Sequence, residues 1–200
     1  MNNEFTASSQ KYDAVVIGVS AGGLNALTTL LPKLPNDFPM PVIIVQHRAS
    51  DSDNFLIEHL GRLSNLQVKE AEVGELAQAG FIYLAPANYH LLIERNRHFS
   101  LNVDPPVSYA IPSVDVLFYS AARCFGEQLI GVVLTGANSD GTQGLKEIKQ
   151  LGGLTIVQQP ETAQERYMPD AAIAETKVDY VLPLLQIGQL LTALAEGGVE

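Results

Sequence analysis

The chain has 200 residues, 46% of them hydrophobic and 17% charged, which suits one globular domain and leaves no room for a second full-sized one. Its 22 acidic side chains outnumber 12 basic ones, and the net charge of −10 repels phosphate backbones, so no nucleic-acid partner is expected. The single cysteine, Cys124, excludes an internal disulfide or a multi-thiolate metal site; residues 1–10 lack the basic and apolar regions of a secretory signal, and no stretch approaches the roughly 18 apolar residues of a membrane span, so a cytoplasmic protein without membrane insertion is expected.

After a polar, flexible tail over residues 1–11, the run 13–18 (Asp-Ala-Val-Val-Ile-Gly) reads as a strand buried on both faces, and residues 24–34 follow with apolar side chains at helical spacing. Residues 41–46 repeat the buried-strand pattern, 53–63 the amphipathic helix, and 66–69 make a shorter strand. Between 80 and 103 the rhythm changes. Three short stretches, 81–84, 89–94 and 98–103, are separated by turn-like breaks and predict an antiparallel excursion, which Pro105-Pro106 closes. The alternation then resumes with a helix over 114–125 (Ser113 as N-cap), a strand over 129–134, a helix over 141–151, strands at 154–157 and 180–182, and a closing helix over 184–194. Strands alternating with crossover helices predict an α/β fold: a doubly wound, mainly parallel sheet with helices on both faces and an antiparallel hairpin insertion, formed by one domain over 12–195.

In such a sheet, ligands gather outside the carboxyl ends of the strands. Three predicted strand ends bear polar residues: Gly18-Val-Ser20-Ala-Gly22-Gly23, Gln46-His47-Arg48, and Leu134-Thr-Gly-Ala-Asn-Ser-Asp140-Gly141. Gly-x-Ser-x-Gly between strand and helix fits a nucleophile elbow, its glycines permitting a sharp turn. A serine hydroxyl needs a base within hydrogen-bond reach, imidazole supplies one near neutrality, and a carboxylate fixes the ring's tautomer. Ser20, His47 and Asp140 are therefore the candidate triad, although Asp140 also has a plain reading as the cap of the helix that begins near Gly141. A phosphate-binding turn is the competing reading of the first loop. Ser20 stands where the second glycine of Gly-x-Gly-x-x-Gly belongs, and no Gly-Lys-Ser/Thr loop occurs. His59 and His98 read as surface or edge residues, His90 as structural or cleft-lining, Cys124 as packed and unreactive, and Met168-Pro169 as a helix start or a loop near the active rim. Four scattered histidines give no metal-ligand spacing, and neither metal nor cofactor is expected.

Gly-Val-Ser20-Ala-Gly-Gly, Gln-His47-Arg, Pro112-Ser-Val-Asp-Val-Leu-Phe118, Leu-Thr-Gly-Ala-Asn-Ser-Asp140-Gly and Met168-Pro169 together resemble the catalytic domain of the chemotaxis protein-glutamate methylesterases, the CheB family, over essentially the whole chain. The resemblance implies Ser20 as nucleophile, His47 as general base and Asp140 as its orienting partner. It also implies hydrolysis of glutamyl methyl esters on a methylated chemoreceptor-like protein, with methanol released, and in some members deamidation of glutamine. The backbone N–H groups of Ala21 and Ala137 are the candidate oxyanion donors.

Two departures stand out. Ala137-Asn138 replaces the family's usual Met-Gly, and Ile111 replaces the arginine common before Pro112, which removes a bidentate carboxylate grip. Ile111 motivates the alternative of a non-catalytic signalling domain. The first strand begins near Asp13, so no receiver domain is expected in cis; constitutive activity, a regulatory partner in trans and excision from a longer protein are the alternatives this leaves.

Overall fold

The computed structural model describes residues 12–47 and 55–197. The expected tail over 1–11, Arg48, and the first two residues of the expected second helix lie outside them. Among the described residues, nine strands and six α-helices run in the order β1 (Ala14–Val19), α1 (Gly23–Leu30), β2 (Val42–Gln46), α2 (Phe55–Leu63), β3 (Gln67–Glu70), β4 (Phe81–Leu84), β5 (His90–Ile93), β6 (Phe99–Asn102), α3 (Val114–Phe125), β7 (Leu129–Val133), α4 (Thr142–Gln150), β8 (Leu154–Gln158), α5 (Tyr167–Glu175), β9 (Tyr180–Leu182) and α6 (Leu184–Ala195). Seven strands form one parallel sheet ordered β3-β4-β2-β1-β7-β8-β9, and β5 and β6 form a separate antiparallel hairpin.

Alternation along β1 explains the layers. Val15, Ile17 and Val19 point into a core with Leu27 and Leu30 of α1, Leu60 of α2, and Ile187, Leu190 and Leu191 of α6. Ala14 and Val16 face the opposite core, which holds Leu117 and Phe118 of α3, Leu145 and Ile148 of α4, and Met168 and Ala172 of α5. The hairpin joins this second core through Leu91, Ile93 and Phe99, and the Phe99 ring meets Tyr83 of β4 edge-on at 4.8 Å.

One expectation is corrected. The stretch 81–84 belongs to the main parallel sheet, where β4 lies between β2 and β3, and only β5 and β6 make the antiparallel excursion. Ile82 and Leu84 enter one core while Tyr83 enters the other, so this short strand needs cover on both faces, which a hairpin arm would not give it. The first helix is also shorter than its apolar pattern. Pro32 offers no backbone N–H, and Leu31–Lys33 tightens into a 3₁₀ turn. Among the described residues, no helix is long and apolar enough to cross a membrane.

Candidate active site

Strand order reverses at β1, which has β2 on one side and β7 on the other, and a crevice opens at the carboxyl ends there. Val19 pairs with Gln46, so Ser20 and His47, each the next residue along its strand, leave the sheet side by side. The Gln46 side chain fastens them, its Nε2 donating to the carbonyls of Ser20 (3.0 Å) and His47 (2.8 Å). Thr135, after β7, holds the serine loop from the other side. Its carbonyl accepts the Ser20 N–H at 3.0 Å, and its hydroxyl donates to the Ala21 carbonyl at 2.9 Å.

The glycines of the first motif divide their work. Gly22 has φ +80° and makes the turn. Gly18, expected to serve the same turn, sits inside β1 with ordinary strand pairing. A methyl group there would stand 2.2 Å from Cγ1 of Val114, and one on Gly141 would stand 2.7 Å from the same atom. Bare backbone at both positions lets the first turn of α3 press against the strand ends.

That approach decides the state of Asp140. The carboxylate is fully buried and does not cap the helix that follows it; Gly141 holds that N-cap position without a side-chain bond. Asp140 instead receives the N-terminus of α3. Its Oδ2 accepts from Val114 N (2.7 Å) and its Oδ1 from Asp115 N (3.0 Å) and the Ser113 hydroxyl (2.8 Å). Ser113, expected to cap α3 itself, occupies the N-cap position but spends its hydroxyl on Asp140. Burial alone would push this carboxyl up, but the bonds from His47, the two amides and Ser113 outweigh it and hold Asp140 below the ordinary carboxylate range.

An ionised Asp140 only accepts, which fixes the imidazole. His47 Nε2 lies 2.8 Å from Oδ2 and bears the proton, leaving the lone pair on Nδ1, 3.1 Å from Ser20 Oγ. The structure thus brings all three expected triad residues into one hydrogen-bonded relay, with serine on Nδ1 and carboxylate on Nε2. Asn138 joins it, its Nδ2 lying 3.1 Å from Nδ1 and its Oδ1 accepting the Asp140 N–H at 3.0 Å.

Among the described residues, nothing accepts a hydrogen bond from the backbone N–H of Ala21 or of Ala137. The Ala137 loop runs against the serine, since a methyl on Gly136 would meet Ser20 Cβ at 2.9 Å and Met168 Sδ at 2.0 Å. Of the two readings its sequence allowed, Met168 takes the helix start and not the loop. It lies in the first turn of α5, and its fully buried side chain packs against Gly136 beside Ser20. An open cleft of about 540 Å³ lies over Ser20 and His47, with Leu24, Asn25 and Gln164 on its walls.

Asp115 mirrors Asp140. It sits in the first turn of α3, nearly buried, and accepts the Gly144 N–H of α4 at 2.7 Å. Burial first, then the neighbouring Asp140 charge, push its carboxyl up to about 6, against amide bonds from Gly144 and Gly141 that favour ionisation.

Sequence reasoning gave neither Asp115 nor Gln46 a role. Both carried a signal: a carboxylate on the face of α3 that holds Phe118 and Ala122, and a glutamine ending an otherwise apolar buried strand. His90 is structural. It is fully buried, and its Nδ1 accepts the Ser113 N–H at 3.1 Å while Nε2 lies 3.3 Å from the Pro105 carbonyl. His59 stacks on Phe55, and His98 bonds locally to Asn96. Cys124 is half-buried, and burial pushes its thiol up, away from the reactive thiolate.

Residues 15–191 match the family model described as CheB methylesterase. A Leptospira interrogans protein named "Putative protein-glutamate methylesterase/protein-glutamine glutaminase" is 50% identical over 189 residues, covering 94% of this chain and 98% of that one. A Carboxydothermus hydrogenoformans "Protein-glutamate methylesterase/protein-glutamine glutaminase 1" is 43% identical over 184 residues, covering 90% of this chain and 54% of the longer relative. Among solved structures, the CheB methylesterase catalytic domain of Thermotoga maritima superposes with a TM-score of 0.88 at 37% identity, over 92% of this chain and 99% of that one.

Proposed function

Because this chain belongs to the CheB methylesterase family, we propose that it hydrolyses γ-methyl esters of glutamyl residues on a chemoreceptor-like protein in the cytoplasm, with Ser20, His47 and Asp140 as its triad. The observation that carries this reading is the unbroken relay from Ser20 Oγ through His47 to a buried, ionised Asp140 at the sheet's switch point. Ser20 attacks the ester carbonyl while its proton moves to Nδ1, and Asp140 stabilises the imidazolium through Nε2–H. The oxyanion that forms is met by the unspent amides of Ala21 and Ala137, each such donor being worth about 2.7–4 kcal/mol. Collapse breaks the C–O bond to methoxide, which takes the proton from Nδ1 and leaves as methanol. Water, deprotonated at Nδ1, then cleaves the acyl-serine, returning a free glutamate and the resting enzyme.

The same sequence on a glutamine side chain expels ammonia, so deamidation is within reach of this geometry. An open cleft suits a side chain presented on a protein surface better than an enclosed small molecule. With Ile111 half-buried where the family commonly places arginine, the substrate's acidic neighbours gain no guanidinium from that position. The non-catalytic alternative is not favoured, because the relay retains every proton-handling group.

Ser20→Ala tests the assignment. It is expected to abolish methanol release from a methylated receptor while leaving thermal unfolding unchanged; wild-type turnover in the variant would refute it.

A further inference from the structure

We propose that Asn138 is a positioning residue that restrains His47, its carboxamide sharing with Ser20 the one lone pair through which the imidazole acts as a base. The inference rests on Ser20 and His47 being nucleophile and base. The orientation of the amide is set by the Asp140 backbone N–H, which needs an acceptor and lies 3.0 Å from Oδ1, so that Nδ2 faces the ring. Nε2 is committed to Asp140 at 2.8 Å and keeps its proton, so Nδ1 has one lone pair. Two donors converge on it at equal distance: Ser20 Oγ at 3.1 Å and Asn138 Nδ2 at 3.1 Å.

The two donors behave differently once the reaction begins. When the serine proton passes to Nδ1, the lone pair is consumed and the nitrogen becomes a donor. Asn138 then points N–H at N–H, while its other end remains held by the Asp140 amide. Its hydrogen bond therefore stabilises the resting, neutral ring and is lost in the step that makes imidazolium, so the transition state bears the cost. The free energy of one ordinary hydrogen bond corresponds to roughly a three- to tenfold slower activation of Ser20. In this way the chain holds a brake on its own nucleophile within the loop that supplies the triad carboxylate.

The test compares wild type, Asn138→Ala and Asn138→Ser for the second-order rate at which a fluorophosphonate probe labels Ser20, beside kcat and KM for methanol release. Asn138→Ser keeps a hydroxyl acceptor for the Asp140 amide, is too short to reach Nδ1 and adds no charge, so it covers the case in which the alanine variant loosens the loop. Both variants are expected to label about three- to tenfold faster and to raise kcat with KM unchanged. The ¹⁵N resonance of His47 Nδ1 should move toward that of a nitrogen with a freer lone pair. Labelling at or below the wild-type rate in both variants would overturn the brake. A wild-type label that survives Ser20→Ala would instead overturn the nucleophile assignment, and the brake with it.

Discussion

Replacing Asp140 with asparagine separates the carboxylate's two tasks, capping α3 and orienting His47. In the native site Oδ1 accepts from Ser113 Oγ and Asp115 N, and Oδ2 from Val114 N and His47 Nε2. An amide nitrogen at the Oδ2 position would face two N–H donors. At the Oδ1 position it faces one, because the Ser113 hydroxyl can turn to accept. The variant should therefore keep its oxygen toward His47 and Val114 and orphan a single buried donor, the Asp115 amide. That orphan costs about 1–3 kcal/mol, and losing the charge at the helix N-terminus a further ~0.3–2. Relief of the charge beside Asp115 returns part of this, leaving a destabilisation on the order of 2 kcal/mol.

Urea unfolding at pH 7 measures it. Asp140 is held below the ordinary carboxylate range, so its contribution is present above about pH 4 and is lost as pH falls further; the gap between wild type and variant should narrow there. Because the ring keeps its Nε2–H tautomer, kcat should fall by about 10²-fold, the worth of one charged hydrogen bond. The ~10⁴-fold loss that accompanies a wrong tautomer in the reference serine protease should not appear. An unchanged urea midpoint would refute the capping role, and a 10⁴-fold loss would refute the predicted amide orientation.

Two further outcomes follow from neighbouring groups. Asp115, with its carboxyl raised to about 6, keeps its proton longer in the folded than in the unfolded chain, so its contribution favours folding below about pH 4 and declines as pH rises to 6, by roughly 3 kcal/mol. Asp115→Asn should flatten the stability–pH curve across that window, and an unaltered slope would count against the burial argument. Gln46→Leu removes the amide that holds the carbonyls of both Ser20 and His47, and should lower kcat about tenfold with a loss of about 1–2 kcal/mol in thermal unfolding. An unchanged kcat would show that strand register alone aligns the pair.

How far the site was legible in sequence depended on whether a residue's partner was local. Buried strands announce themselves as apolar runs, and Ser20 and His47 follow two of them directly. Asp140 was visible as a polar strand-end residue, but its capping of α3 was not, because its donors lie 25 to 27 residues earlier and local reading offered only the helix beside it. Gly18 misled for the same reason: the motif suggests a turn, while the constraint comes from Val114, nearly a hundred residues away. Phe81–Leu84 shows a different limit. Four apolar residues between turns fit a hairpin arm or a central parallel strand equally well, and pairing with β2 decides the matter.

The ring orientation follows from the sheet itself. Ser20 and His47 end adjacent strands in matched register, roughly 4.8 Å apart, whereas Asp140 follows β7, on the far side of β1 from His47 and about twice that distance in strand spacings. Nδ1 lies next to the ring's attachment to the backbone and Nε2 at its far edge. The near serine therefore meets the near nitrogen and the distant carboxylate the distant one. Asp140 closes the remaining gap because α3, admitted by Gly18 and Gly141, holds it from behind. Serine on Nδ1 loses nothing chemically, since proton gain at either nitrogen gives the same imidazolium. The order of three strands thus selects which nitrogen faces Ser20, and a bulkier residue at position 18 should damage the relay by displacing the helix behind Asp140 before it disturbs the serine turn.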